Sequence, residues 1–248
     1  MVIKGALHVH TDLSHDGKLS MESAVDLFRQ RGFQFVFLAE HAEDMDAAKV
    51  ETMRRQAAAL STGGFLVIPG LEYSCPGMVH MVGVGCDQAF DFREPVRVAR
   101  EIQAAGGFAV LAHPGRFHWQ CDNELIRNVN AVEVWNVAYD GKFVPEPRSL
   151  EFLRKSRSAN HRLLACAGVD LHRAGGFYPV AVQMDVQKLT REAILAELIH
   201  GHYTLTAPGL NMHARDEAGD ISLFALRTAR IPLNGYKRMR RSLREGSR

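Results

Sequence analysis

The 248-residue chain is 46% hydrophobic and 23% charged, enough apolar content for a sizeable core and too much for a long disordered stretch. Its formal net charge of +2 divides unevenly: residues 227–248 hold eight basic residues and one acidic, which leaves residues 1–226 with 22 basic and 27 acidic, a net of −5. A mildly acidic body gives no broad nucleic-acid face, and no run approaches the roughly 18 apolar residues of a membrane span.

In chain order, short apolar strands alternate with amphipathic helices. Residues 2–8 read as a strand and 20–31 as a helix, with Ser20 as N-cap and Gly32 as stop. Residues 35–39 form a buried strand, 42–60 a helix closed by Gly63 and Gly64, 65–71 a strand, and 80–85 a short strand. Residues 94–105 predict a helix stopped by Gly106 and Gly107, followed by a strand over 108–112 and a short helix over 123–128. A strand over 131–135, a helix over 145–158 with prolines in its first turn, and a strand over 163–168 come next. The chain then gives a helix over 190–200, capped by Thr190 and stopped by Gly201, and a strand over 203–207. Such alternation predicts an α/β fold with a parallel sheet, and about seven βα units in roughly 210 residues point to one barrel rather than two domains. The expected division is a barrel over residues 1–220 and a basic appendage over 221–248.

Cys75, Cys86, Cys121 and Cys166 form no CxxC pair, so they read as reduced, mostly buried thiols rather than a zinc finger. The first acidic residue is Asp12 and residues 1–7 are too short for a secretory h-region, so a cytoplasmic location is expected.

The chemistry gathers at strand ends. His8 and His10 end the first strand, Glu40 and His41 the second, and Glu72 the third. His80 opens the short fourth, His113 follows the strand over 108–112, Glu133 lies inside 131–135, and Asp170 and His172 follow 163–168. Barrel sites form where the C-terminal strand ends converge. The i, i+2 spacing of His8 with His10 and of Asp170 with His172 puts each pair on one face of extended backbone. Imidazoles and carboxylates are costly to bury unpaired, and a metal ion is the common way to satisfy such a group. With no thiolate in the set, Mn, Zn or Fe suits it.

The segments LHVHTDLSHDGKLS, FLAEHAED, IPGLEYS, HMVGVG, LAHPGR and AGVDLHR resemble, in order, the motifs of the PHP family, the polymerase and histidinol phosphatase domain. Residues 201–206 resemble its closing segment. The resemblance implies a distorted (β/α)7 barrel with two or three divalent metals and, for many members, phosphoester hydrolysis. Nine positions match its ligands: His8, His10, Asp16, His41, Glu72, His80, His113, Asp170 and His172, with Glu72 as the carboxylate that bridges two metals. Two departures are local. The run Ser14-His15-Asp16-Gly17 is one residue longer than the common Ser-Asp-Gly; Asp16 keeps its glycine, and His15 is the alternative for the position or else an outer neighbour of the cluster. Ala39-Glu40-His41 stands where Thr-Asp-His is common, and Glu40 is expected to orient His41 rather than to ligate.

A hydroxide shared by two such ions would attack phosphorus in line, while cations hold the non-bridging oxygens. Arg116 and Arg173 are expected to contact the phosphate, since an arginine fork suits that job, and Arg116 counts with His118 as a catalytic candidate. His118 is the candidate proton donor to the leaving group, with Asn136 and Tyr178 as further substrate contacts. Only seven residues separate Glu72 from His80, so an open site closed by loops 116–122, 138–147 and 173–179 is expected in place of an inserted lid. The expected function is metal-dependent hydrolysis of a phosphomonoester or phosphodiester of a small metabolite or nucleotide. Trimming of oligonucleotides with the basic tail as guide, a non-catalytic metal-stabilised module, and C–N hydrolysis are the alternatives.

Overall fold

The computed structural model describes residues 1–208, 210–219 and 222–230. Two six-stranded sheets make up its frame. The first sheet runs β12-β11-β10-β1-β2-β4, where β1 is Val2–Val9, β2 Phe35–Leu38, β4 Leu66–Ile68, β10 Ala181–Asp185, β11 Thr204–Ala207 and β12 Leu210–His213. The second runs β3-β5-β6-β7-β8-β9, where β3 is Glu40–His41, β5 Leu71–Cys75, β6 Val79–Val84, β7 Phe108–Ala112, β8 Ala131–Asn136 and β9 Leu164–Gly168. Strands β2, β7, β8 and β9 are buried along their whole length, as expected for strands covered on both faces.

The two sheets meet at three seams. Only Ala39 separates β2 from β3, and two residues separate β4 from β5. Backbone bonds Val169 N→Leu7 O and Leu171 N→His8 O, with an isolated bridge between Val9 and Leu171, tie the end of β9 to β1.

The helices follow from local chemistry. Helix α1 (Met21–Arg29) buries Met21, Ala24, Val25 and Phe28, the i, i+3, i+4, i+7 stripe, and Ser20 accepts from Ser23 N at its start. Helices α2 (Ala47–Leu60), α3 (Pro95–Ala104), α4 (Asn123–Asn128), α5 (Val137–Asp140), α6 (Pro147–Ser156) and α7 (Arg191–His200) complete the ordered set. Thr190 caps α7 and Gly201 ends it in the left-handed region at φ 69°. A further helix over 222–230, α8, lies against the body, with Leu223 and Arg230 buried. The first part of the basic tail is therefore a packed element. The lysine and arginines from 237 to 248 lie outside the described residues.

Three expectations are corrected. The sheet is not wholly parallel: β6 pairs antiparallel with both β5 and β7. The cause is connection length, because the turn over 76–78 is far too short for the crossover that parallel strands require. The expected helix over 42–60 is interrupted: a single turn over 42–44 precedes α2, which Asp46 caps through Lys49 N. Finally, residues 181–185, assigned no structure in the sequence reading, form β10 and pair with β1 from Val2–Asp185 to Gly5–Val182. Among the described residues, no helix is long and apolar enough to cross a membrane. All four cysteines are free, and Cys121 alone is not fully buried.

Candidate metal centre

The nine expected ligands converge at one end of the strands. His8 and His10 come from the end of β1, His41 from β3, Glu72 from β5, His80 from β6, and His113, Asp170 and His172 from just beyond β7 and β9. Seven of the nine side chains line a cavity of about 530 Å³, and the other two, His8 and His10, are buried beside Glu72 and Asp170.

Glu72 is the hub. Its Oε1 lies 2.9 Å from His80 Nδ1, 2.9 Å from His113 Nε2 and 3.5 Å from His8 Nε2. Its Oε2 lies 3.1 Å from His41 Nδ1 and 3.6 Å from His10 Nε2. The two oxygens thus face different histidines. Asp170 Oδ1 reaches His172 Nδ1 at 3.3 Å, His10 Nε2 at 3.4 Å and His8 Nε2 at 3.6 Å. Asp16 spans His41 Nε2 at 3.2 Å and His172 Nε2 at 3.1 Å, one through each oxygen.

Several of these close approaches are not hydrogen bonds. His8 Nε2, both ring nitrogens of His10, His41 Nδ1, His113 Nδ1 and Asp16 Oδ1 are buried without a hydrogen-bond partner. Buried polar atoms of this kind are rare and call for an explanation. Donors about 2.1 Å from a shared tetrahedral cation stand about 3.4 Å from one another, which is the spacing seen here. Among the described residues, five overlapping triads, four mixing histidine with carboxylate and one of three histidines, bring their donor atoms within 4.8 Å. The residues therefore fit divalent cations.

The electrostatics agree. Burial alone would raise the Glu72 carboxyl, yet the charge of His8, the hydrogen bond with His113 and the close approach of His41 hold it well below the usual carboxylate range. Burial likewise opposes protonation of His41, but Glu72 and Asp16 drive it up to about 9. His8 goes up against its own burial through Asp170, Glu133 and Glu72, whereas burial keeps His10 below its ordinary value. The cluster draws positive charge, and protons or metal ions can supply it.

The backbone is bent to place these groups. His8, His113 and Asp170 all have positive φ, 63°, 24° and 51°. Each non-glycine residue in that region costs about 1–3 kcal/mol and persists only where its surroundings hold it. Gly17 has its own reason: a Cβ there would lie 1.8 Å from Thr11 O. That close approach lets the loop after β1 carry Asp16 back over the histidines.

A second tier of groups holds the first. Glu133 accepts from His8 Nδ1 at 3.0 Å, from His113 N at 2.8 Å and from Asn136 Nδ2 at 2.9 Å. Asn136 also donates to Asp170 Oδ2 at 3.0 Å and is fully buried, so the expected substrate contact is corrected to an internal brace. Glu40 does not touch His41. Its carboxylate accepts from Thr11 N, Thr11 Oγ1 and Ser14 Oγ, and Ser14 Oγ in turn accepts from His41 N. Its hold on His41 is thus indirect, through the loop after β1.

The remaining expected residues separate. Arg116 lines the cavity, donates to Tyr139 Oη at 2.5 Å and has a buried, unpartnered Nε. His15 sits at the rim, bonded to Asp44 at 2.7 Å and stacked 5.2 Å from His41, while the half-exposed Asp16 is the one that reaches His41 and His172. His118 and Arg173 are exposed and do not line the cavity. Tyr178 packs on Trp135 and Phe143 instead. Tyr139, which the sequence reading did not single out, lies 4.5 Å over the His113 ring and forms a wall with Arg116. Of the three loops expected to close the site, 116–122 supplies Arg116 and 138–147 supplies Tyr139, whereas 173–179 supplies no lining residue; the 74–78 turn lines the cavity as well.

No family sequence model matches the chain, and no curated protein does. Solved structures do share its fold. A two-domain protein from Bacteroides vulgatus containing a predicted PHP-like metal-dependent phosphoesterase superposes with a TM-score of 0.65 at 18% identity, over 85% of this chain and 66% of that one. PsfC from Pseudomonas syringae gives 0.57 at 17% identity, over 94% and 99% of the two chains. The lesion-specific endonuclease EndoQ from Pyrococcus furiosus gives 0.54 at 16%, over 85% and 58%. This chain thus spans about two thirds of the first protein and somewhat over half of the endonuclease.

Proposed function

We propose that this protein is a PHP-type, metal-dependent phosphoesterase with a centre for two or three divalent ions, and that its two sheets act as one distorted seven-stranded barrel. The observation that carries the reading is the division of Glu72, one oxygen toward His8, His80 and His113 and the other toward His10 and His41. A carboxylate shared in this way suits adjacent ions. The fold shared with proteins described as metal-dependent phosphoesterase and endonuclease supports the same class.

Ions bound here would polarise a phosphoester and lower the pKa of water toward about 7. The chain's own residues do the rest. Asp16, His41 and His172 close one side of the centre, and Glu133 and Asn136 hold His8 and Asp170 in place. Arg116 offers a guanidinium whose buried Nε has no internal partner, the group best suited to hold a non-bridging phosphoryl oxygen. The Tyr139 hydroxyl fixes that guanidinium against the cavity wall. Mn, Zn and Fe are the candidate ions, since the donor set is imidazole and carboxylate without thiolate.

The test is hydrolysis of p-nitrophenyl phosphate and bis-p-nitrophenyl phosphate after reconstitution with Mn²⁺, Zn²⁺ or Fe²⁺, for wild type, His10→Ala and Asp170→Ala. Metal-dependent turnover lost in both variants is the expected result, and the preferred ester separates monoesterase from diesterase. Tightly bound ions with no turnover on either ester would refute hydrolysis and favour a non-catalytic module.

A further inference from the structure

A second groove, of about 680 Å³, lies on the other side of the loop that follows His113. Arg116 of that loop lines the metal cavity, and Trp119, three residues later, lines the groove. His118 and Trp119 are both non-glycine residues in the left-handed region, at φ 55° and 57°. Such strain persists only where the surroundings hold it, and it clusters at functional surfaces. Here it delivers the indole into the groove. Ser149 then fixes the ring by accepting from its Nε1 at 3.0 Å.

The groove's charge is opposite to that of the body. The Arg148 guanidinium stands 5.1 Å over the Trp119 ring, and among the described residues no carboxylate pairs with it. Lys155 and Arg227 share the single carboxylate of Glu151, at 3.0 and 2.6 Å. Arg230 pairs with Glu146 at 3.2 Å. Four cations face two carboxylates, a local excess of two positive charges, whereas residues 1–230 as a whole carry 24 basic and 27 acidic groups, a net of −3.

We propose that this groove binds single-stranded nucleic acid. A base stacks against Trp119 and Arg148, and the phosphates follow Arg227 and Lys155 along the groove. An indole held edge-on by a hydrogen bond beside an unpaired guanidinium is a stacking platform that any base can use. Clustered cations supply the backbone term, which single strands need along with stacking. Binding in the groove stands independently of catalysis. That the strand is also the substrate rests on the phosphoesterase reading.

The test uses the full chain and a phosphorothioate octathymidylate, whose charge is retained and whose hydrolysis is slowed. The chain has two tryptophans, and Trp135 is only 1% exposed, so quenching reports on Trp119. The expected result is saturable quenching, with affinity at least tenfold weaker in Trp119→Leu and about fivefold weaker in Arg148→Gln, read by anisotropy of a labelled strand. Arg148→Gln should also reduce the slope of log K against log salt by about 0.7. Arg148 is exposed, so its variant decides the matter if Trp119→Leu melts early. Equal affinity for inorganic polyphosphate would overturn base stacking, and wild-type affinity in both variants would overturn the groove. Binding lost only on deleting residues 231–248 would also overturn it and move the site to the tail. Strand binding that persists in a protein that hydrolyses neither p-nitrophenyl ester would sink the catalytic reading and leave this one standing.

Discussion

Replacing Glu133 by glutamine tests whether the metal centre is held from behind. Three donors converge on this carboxylate: the His8 ring at 3.0 Å, the His113 backbone N–H at 2.8 Å and the Asn136 amide at 2.9 Å. His8 approaches Oε1, whereas the other two share Oε2. Glutamine keeps the volume but presents one oxygen and one NH2 group. In either amide orientation, NH2 faces a donor, so either His8 loses its anchor or His113 N–H and Asn136 both do. A buried donor without a partner costs about 1–3 kcal/mol. Loss of a group that orients a histidine ligand lowers metal affinity about 10–100-fold, or about 1.4–2.7 kcal/mol. Calorimetric titration with Mn²⁺ or Zn²⁺ measures this directly, without reference to any substrate. Affinity within threefold of wild type would refute the argument. A drop beyond about 10⁴-fold with one fewer ion bound would show instead that Glu133 is itself a ligand.

Three other changes follow from the same geometry. A Cβ at Gly168 would lie 2.0 Å from Glu133 Oε1 and 2.8 Å from His8 Cβ, so Gly168→Ala should cost about 1–3 kcal/mol in urea denaturation and weaken metal binding as well; unchanged midpoint and affinity would show that the brace can shift. Burial, with Glu146 and Glu133 nearby, raises the Asp140 carboxyl from 3.8 to about 7 against the opposing Asn136 N–H and Arg230. Because the folded state then holds a proton that the unfolded chain has released, stability falls as pH rises through that window, by an upper limit of about 4 kcal/mol. Asp140→Asn should match wild type below pH 4 and exceed it at pH 8, and parallel pH profiles for the two proteins would contradict this. Arg230 donates to the carbonyls of Asp140 and Pro145 at 2.6 and 2.9 Å and pairs with Glu146; Arg230→Met should cost about 3–5 kcal/mol and speed amide exchange across residues 140–146, and unaltered exchange there would show that α8 does not secure the loop.

The positions of the clustered histidines and carboxylates were legible because strand ends announce themselves. A histidine or carboxylate that follows four or five apolar residues lies at the mouth of the fold, and the i, i+2 spacing fixes a common face. Ser20, Thr190 and Gly201 were equally readable, since capping chemistry is local. What escaped depended on long-range approach. The role of Glu133 required knowing that His8, 125 residues away, would sit beside it; its only signal is a charge inside the apolar run Ala131–Trp135. Asn136 looked like a residue at a strand's open end, yet it turns inward to Glu133 and Asp170. Tyr139 carried no signal at all, because its place over His113 depends on the short helix α5 and on Arg116. The antiparallel course of β6 could have been read from the three residues between it and β5.

The position of β1 sets the order in which the protein can be completed during synthesis. This strand carries His8 and His10, yet its sheet partners are β2 and, antiparallel, β10, and the end of β9 also closes on it. The first histidines to leave the ribosome therefore wait for residues 164–185, which follow about 8–35 s later at ordinary elongation rates. Until then Asp170 and His172 do not exist, and half of the donor set has no fixed place. Nascent chains shorter than about 190 residues cannot assemble the full donor cluster. A metal centre of the kind proposed would therefore be completed only late in synthesis, after residues 164–185 have joined β1.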